Sequence, residues 1–398
     1  MTAERLPPPS QAIGPRAWMR RNLFSSVPSS LVTIVLAVVI AVFALAFANW
    51  ALNEARWGVV TENLRLFLIG RYPFEEAWRV WLSLVMLSVL TGLSAGAWSG
   101  GAIRTLASWL AAGQALLAGL AAISGMGPTV VIALLVNTGL VWLAFALSLR
   151  VAIPGRLVAI AWILSLPLSA VLLQGTGGGL LPLVSTNEWG GLMLTFVLAI
   201  VGIALSFPFG VLLALGRRSD LPAIRLLSTA YIEIVRGVPL VTILFMASIM
   251  LPLFLPGEIR IDRVLRALGG ITLFSAAYVA ENVRGGLQAI PQGQIEASNA
   301  IGLNVLQRNL HIVLPQALRA VIPANVGLFI SLLKDTTLVA IVGLLELLGI
   351  GRAVLAQPQW FGAQMEVYVF IAIVFFILCY TMSQASYRLE AQLGVGKR

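Results

Sequence analysis

The chain has 398 residues, 59% hydrophobic and 11% charged, with a net charge of +10 and a mean hydropathy of +0.94. A soluble domain carries about a quarter charged residues, so this composition excludes an ordinary water-soluble fold. It points to an all-α, polytopic helical membrane protein. A β-barrel is excluded because the apolar runs are continuous rather than alternating every second residue. The positive charge does not indicate nucleic acid, because Lys and Arg accumulate on loops that resist translocation. Cys379 and His311 are each the only residue of their kind, so neither a disulfide framework nor a multi-histidine metal site is expected.

Residues 1–30 are rich in Pro, Ser and Arg, and Arg16, Arg20 and Arg21 precede the first apolar run at about 31–52. Ala46-Phe47-Ala48 could mimic a signal-peptidase site, but a run of about 20 residues exceeds the 7–15 of a signal core. A retained anchor is expected. Residues 53–80 mix Arg56, Trp57, Arg65, Arg71, Tyr72, Trp78 and Arg79, a composition suited to the membrane interface. Spans follow near 81–98, 104–123, 128–148 and 157–174, each long enough for a ~30 Å hydrocarbon core. The Gly-rich break at Gly175–Gly179 marks a domain boundary.

The second half predicts five more spans, near 190–215, 236–255, 267–284, 322–345 and 366–387, about ten transmembrane helices in all. Both termini then lie on one side. If that side is the cytoplasm, 17 of the 26 Lys and Arg face inward and 8 outward, with Lys334 inside a span. The excess has the sign the positive-inside rule requires, and it places the loop at 285–321 in the cytoplasm.

That loop contains Glu296-Ala297-Ser298, then Gly302 after three residues, then Ile312 after nine more, and Leu314-Pro315. The pattern resembles the EAA motif of ABC-importer permeases, departing from it at Ser298. The resemblance implies two short cytoplasmic helices joined at Gly302 that dock on an ATPase subunit. Small residues let a helix seat closely, glycine turns without a Cβ penalty, and Pro315 is expected to end the second helix. Coupling to the ATPase would rest on Glu296, Ala297, Ser298, Gly302, Ile312, Leu314 and Pro315.

The flanks sharpen the resemblance. Tyr231 to Leu240 with Arg236-Gly237 and Pro239, Ala277 to Gly286, Pro291 to Gln294, and Lys334 to Leu338 followed by Glu346-Leu347 are similar to polar-amino-acid permeases over about residues 190–390. The resemblance divides the chain into a cytoplasmic segment at 1–30, extra transmembrane helices at 31–180, and a five-helix type I importer permease core at 190–390.

Lys334 and Asp335 stand out independently. A charge at the centre of a span costs from about 2.5 kcal/mol upward and usually faces a polar path. Ser331, Thr336 and Thr337 surround the pair, offering donors and acceptors to a zwitterion, and Tyr278 and Glu281 are similar candidates. A structural ion pair is the competing explanation, and for Glu281 a coupling or packing role. Arg236 and Arg284 suit topology anchors.

No G-x-x-x-x-G-K-[ST] is present, so ATP hydrolysis by a phosphate-binding loop in this chain is not expected. Nor is a nucleophile elbow, HExxH or CxxC pair present. The resemblance therefore implies a non-catalytic permease subunit without a cofactor of its own, ATP and Mg being on the ATPase. It implies partners as well: ABC ATPase subunits, a second related permease in a heterodimer, a periplasmic amino-acid-binding protein, an L-amino-acid substrate and membrane lipid. The expected location is the bacterial cytoplasmic (inner) membrane, multi-pass, with both termini cytoplasmic. A secondary transporter driven by an ion gradient through Asp335 and Glu281 is the alternative.

Overall fold

The computed structural model describes residues 14–98, 100–257 and 259–394. The chain divides into two compact units, one up to Trp57 and one from Gly58.

The first unit contains α1 (Pro15–Asn22) and α2 (Val27–Asn49), the latter running on through a π-turn at Trp50–Glu54. Ser26 caps α2 by accepting from the Ser29 amide, the standard answer to an orphan N–H. Phe47, Trp50 and Trp57 form a tilted ring ladder with centroid spacings of 5.4 and 5.7 Å.

The second unit opens with two short helices, α3 (Gly58–Thr61) and α4 (Leu64–Ile69). Four long helices follow: α5 (Ala77–Ala97), α6 (Gly101–Ile123), α7 (Pro128–Val151) and α8 (Gly155–Gln174). Small residues fix how α5 crosses α7. A Cβ on Gly92 would lie 2.2 Å from the Val141 carbonyl, and one on Gly96 would lie 2.5 Å from Ser148 Cβ. This four-residue spacing lets two membrane helices touch backbone to backbone. Inside this bundle Gln114 donates to Ser88 Oγ at 2.8 Å, tying α6 to α5.

The core begins with α9 (Gly191–Arg217) and α10 (Pro222–Gly237). Then come α11 (Leu240–Phe245), a π-turn and α12 (Leu251–Phe254). Next are α13 (Arg263–Gln288), α14 (Gln292–Ala300) and α15 (Val305–Arg308). The chain closes with α16 (Leu314–Asp335), α17 (Leu347–Leu355) and α18 (Gln364–Leu393). Helices α9 and α13 lie close because Gly202, Ser206 and Gly210 form a narrow seam. A Cβ on Gly210 would stand 2.8 Å from the Ala276 carbonyl. Ser206 in the same seam is fully buried.

Among the described residues, nine helices are long and apolar enough to cross a membrane, or ten if one bent pair counts as a span. Two expectations need correction. The span expected at 236–255 is the second arm of that pair, which bends by 106° between Gly237 and Leu240. Pro239 forces the bend, because Val238 before it is driven extended, at φ −110° and ψ 136°. The span expected at 322–345 runs continuously from Val305 to Val342. Pro315 therefore does not end a helix. A π-turn at Asn309–Val313, closed by the Leu314 amide on the Asn309 carbonyl, widens the helix just where a proline ring would meet the carbonyl four residues back.

Within residues 53–80, Arg56, Arg71 and Trp78 are exposed, but Tyr72 and Arg79 are not. Arg79 is fully buried and Tyr72 is 1% exposed. Tyr72 donates to the Leu173 carbonyl at 2.7 Å, and Arg79 to the Pro182 carbonyl at 2.8 Å while pairing with Glu76 at 2.7 Å. The end of the molecule opposite the Glu296–Pro315 loop is stitched by backbone. Gly70 bridges Trp189, and Gly191 bridges Glu346.

Candidate functional site

The Glu296–Pro315 loop is built from two linked local devices. At the end of α14 the Leu303 amide donates to the Ser298 carbonyl and the Gly302 amide to the Asn299 carbonyl, a Schellman stop. It requires a left-handed residue, and Gly302 supplies φ +79°. Two residues on, Asn304 starts α15 with a reciprocal capping box to Gln307, which satisfies two orphan amides at once. The sequence expectation of a glycine turn is met. The second helix is not short, however, since α15 continues through the π-turn into α16.

The motif residues divide by burial. Ser298 is 1% exposed and donates to the Ile295 carbonyl at 2.6 Å. Its hydroxyl is thus satisfied within α14 at this buried position. Glu296, Ala297 and Gly302 are exposed, Pro315 likewise, and Ile312 and Leu314 are half-buried. A Cβ built on Gly302 meets nothing within 4 Å, so the chain itself leaves the space beside that turn open.

Sequence reasoning missed the apolar residues that surround this turn. Ile301 is 73% exposed, Leu306 67%, Val305 51% and Leu310 50%. These four residues form an exposed apolar group on an otherwise polar loop. Their clustering across a glycine turn was the signal available. Beneath the surface, Ile295 and Val313 pack into the core shared by Ile232 of α10, Val279, Val283 and Leu287 of α13, and Ala317 of α16. The loop is thereby packed against α10, α13 and α16.

Behind the loop lies an ionic cluster. Glu281 on α13 accepts from Arg284 Nε at 3.0 Å and pairs with Arg217 and Arg236, each at 3.4 Å. Arg284 Nη2 makes a further, shorter contact to the same carboxylate. Arg217 also holds Glu233 of α10 at 2.7 Å. The Arg236 guanidinium stands 5.6 Å from the Tyr278 ring centre. Three elements, α9, α10 and α13, are thus pinned through one carboxylate at the loop end. Arg236 and Arg284 are both paired with Glu281.

The residues expected to meet substrate fall at different levels of the α13–α16 pair. Asn282 donates to Asn325 at 3.0 Å and sets the register of α13 against α16. Lys334 lies nine residues beyond Asn325, about 13 Å further along the helix, which sets it about 12 Å along the axis from the level of Glu281 and about 7 Å from that of Tyr278. Thr336 is fully buried and donates to the Leu333 carbonyl at 2.7 Å, and Thr337 donates to that of Lys334 at 2.8 Å. Both hydroxyl protons are spent on their own helix. Lys334 is exposed, and Ser331 and Asp335 are half-buried. Among the described residues Lys334 and Asp335 form no ion pair with any partner.

Residues 206–392 match the model of the family described as binding-protein-dependent transport system inner membrane component. The chain is 38% identical over 395 residues to the inner membrane amino-acid ABC transporter permease protein YhdY of Escherichia coli, covering 96% of this chain and 93% of that protein. It is 36% identical over 429 residues to the glutamate/glutamine/aspartate/asparagine transport system permease protein BztC of Rhodobacter capsulatus, covering 99% and 96%. A solved amino acid ABC transporter aligns with a TM-score of 0.46 at 28% identity, over 51% of this chain and 92% of that one.

Proposed function

This chain belongs to the family of binding-protein-dependent transport system inner membrane components, and from that premise we propose that it moves polar L-amino acids inward across the bacterial cytoplasmic membrane. It is a multi-pass permease subunit of an ABC importer and not itself a catalyst. The observation that carries the substrate reading is the end-to-end similarity to two permeases whose names specify amino acids, one of them glutamate, glutamine, aspartate and asparagine.

In this reading a periplasmic binding protein delivers the amino acid, and the ATPase partners, which hold ATP and Mg, close on hydrolysable nucleotide. The exposed surface around Gly302 receives their motion. Ile295 and Val313 carry it into α13 and α16, while the Glu281 cluster keeps α9, α10 and α13 moving as one body. Both termini face the cytoplasm, and a second, related permease completes the pathway as a heterodimer. Ser331, Lys334 and Asp335 face that pathway in the assembled pair; Thr336 and Thr337 shape the helix that presents them. Nothing observed favours the ion-gradient reading, since Glu281 is occupied by three arginines rather than held ready for a proton or cation.

The test is purification of the native complex through this chain, followed by uptake of labelled glutamate into proteoliposomes with its binding protein. Competition by glutamine, aspartate and asparagine, and none by leucine, is the expected pattern. A complex that carries none of these amino acids overturns the substrate assignment.

A further inference from the structure

The transport reading leaves one large cavity without a role. It is a half-open space of about 540 Å³ between α4, α5, α6, α7, α8 and α9, at the end of the molecule away from the Glu296–Pro315 loop. That is the size of a small-molecule site. Its walls are hydrocarbon almost throughout, with Leu84, Leu87, Leu166 and Phe196 as examples, and Arg65 is the single charged residue among them. Arg65 spends Nη2 on the Tyr72 carbonyl at 2.7 Å and rests its guanidinium 5.2 Å from the Phe74 ring centre. Its other donors have no partner among the described residues. Trp189 lines the same space, is 6% exposed, and has an indole N–H with no hydrogen-bond partner.

Three occupants are ruled out by chemistry. Water needs two to four polar partners, and away from Arg65 and a few serines the walls offer none, so water would leave most of the space unsatisfied. A helix from another subunit is about 10 Å across, and the cavity accommodates barely a turn or two of one. A zwitterionic amino acid needs an anionic partner as well as a cationic one, and no carboxylate lines the space. What fits is a long hydrocarbon tail carrying an anionic group at one end, beside Arg65.

We propose that the cavity is a resident phospholipid site, in which an acyl chain fills the space between α5, α8 and α9 and the phosphate engages Arg65. The lipid seals the join between the four-helix bundle of α5–α8 and the first core span. The proposal does not depend on which substrate is carried.

The test is native mass spectrometry of the complex purified in mild detergent, before and after delipidation. Phosphatidylglycerol, or diacylglycerol with the same chains, is then added back. The wild type is expected to retain one phospholipid per copy of this chain and to prefer phosphatidylglycerol over diacylglycerol by about tenfold. Arg65→Gln should bind both equally. Ser169→Phe or Ala121→Leu, which fill the space with side chain, should lose the lipid while the complex remains assembled. A wild type that retains no phospholipid, or that holds the two lipids equally, overturns the proposal without recourse to any variant. So does unchanged retention in the cavity-filling variants, which places the lipid elsewhere on the surface.

Discussion

Arg308 Nη1 donates to Asn299 Oδ1 at 2.9 Å, closing a clamp across the turn at Gly302. The two residues sit on opposite arms of the loop, so the clamp fixes the angle between α14 and the helix that becomes α16. An exposed hydrogen bond of this kind contributes about 1 kcal/mol or less to folding. Arg308→Ala should therefore leave thermal stability almost unchanged and lower ATP-coupled uptake severalfold. Uptake at the wild-type level, with stability also unchanged, would remove the clamp from the coupling account.

Gly302 separates the geometry of the turn from the surface around it. Its φ of +79° makes most side chains strained there, by about 1–2 kcal/mol, but asparagine tolerates that region. An added Cβ meets nothing within 4 Å among the described residues. Gly302→Asn should keep the fold and insertion, yet occupy space a docked ATPase needs, and so weaken co-purification of the ATPase and reduce substrate-stimulated hydrolysis. Normal hydrolysis in Gly302→Asn combined with loss in Gly302→Val would assign the glycine to the turn alone.

Glu281 holds three arginines, and removing its charge leaves them facing one another. Glu281→Gln should lower the thermal midpoint, with a cost of about 1–3 kcal/mol for the broken charge-assisted bonds. The double variant Glu281→Gln with Arg284→Gln should cost less than the sum of the singles, because one stranded cation is removed with its partner. Strict additivity would mean that the two groups act separately.

The α9–α13 seam can be probed at glycines with opposite surroundings. Gly210→Ala places a methyl 2.8 Å from a backbone carbonyl and 2.5 Å from Val279 Cβ, so it should reduce yield and stability. Gly113→Ala in α6 meets nothing within 4 Å and should be neutral or gain up to about 1 kcal/mol of helix propensity. Equal behaviour of the two in a detergent melt would contradict the close-packing argument.

Glu346 carries a pH prediction. It is fully buried and caps α17, accepting from the Leu348 and Gly349 amides at 2.9 and 2.8 Å. Burial pushes its carboxyl above the ordinary 4.5, against the pull of those amides and of Arg352. A carboxyl raised in the folded state binds protons more readily there than in the unfolded chain. Its stabilising contribution is complete below the unfolded value and is lost as pH rises through the folded one. Glu346→Gln should flatten the thermal midpoint against pH in the weakly acidic range above 4.5. Parallel profiles for variant and wild type would show that Glu346 does not titrate in that window.

The spans were legible because continuous apolar runs encode little else, and the Gly302 turn because glycine and its spacing specify it. What the sequence hid depended on partners remote in the chain. Arg79 reads as an interfacial cation until the Pro182 carbonyl, far along the chain, is placed beside it. Pro315 reads as a helix terminator because a π-turn has no compositional signature. Glu281 and Lys334 read as one class of intramembrane charge, yet the Asn282–Asn325 bond sets them a dozen ångströms apart. The exposed apolar rim at Ile301, Val305, Leu306 and Leu310 was hidden by its very setting, since leucines attract no notice in a chain this hydrophobic.

We propose that this chain transports only when a separate ATPase drives it through the loop at Gly302. The direct measurement is uptake into proteoliposomes containing the purified complex and its binding protein. It is made with ATP inside and no ion gradient, and then with proton and sodium gradients and no ATPase. The account predicts uptake in the first condition and none in the second. Uptake driven by a gradient in the absence of the ATPase would contradict it.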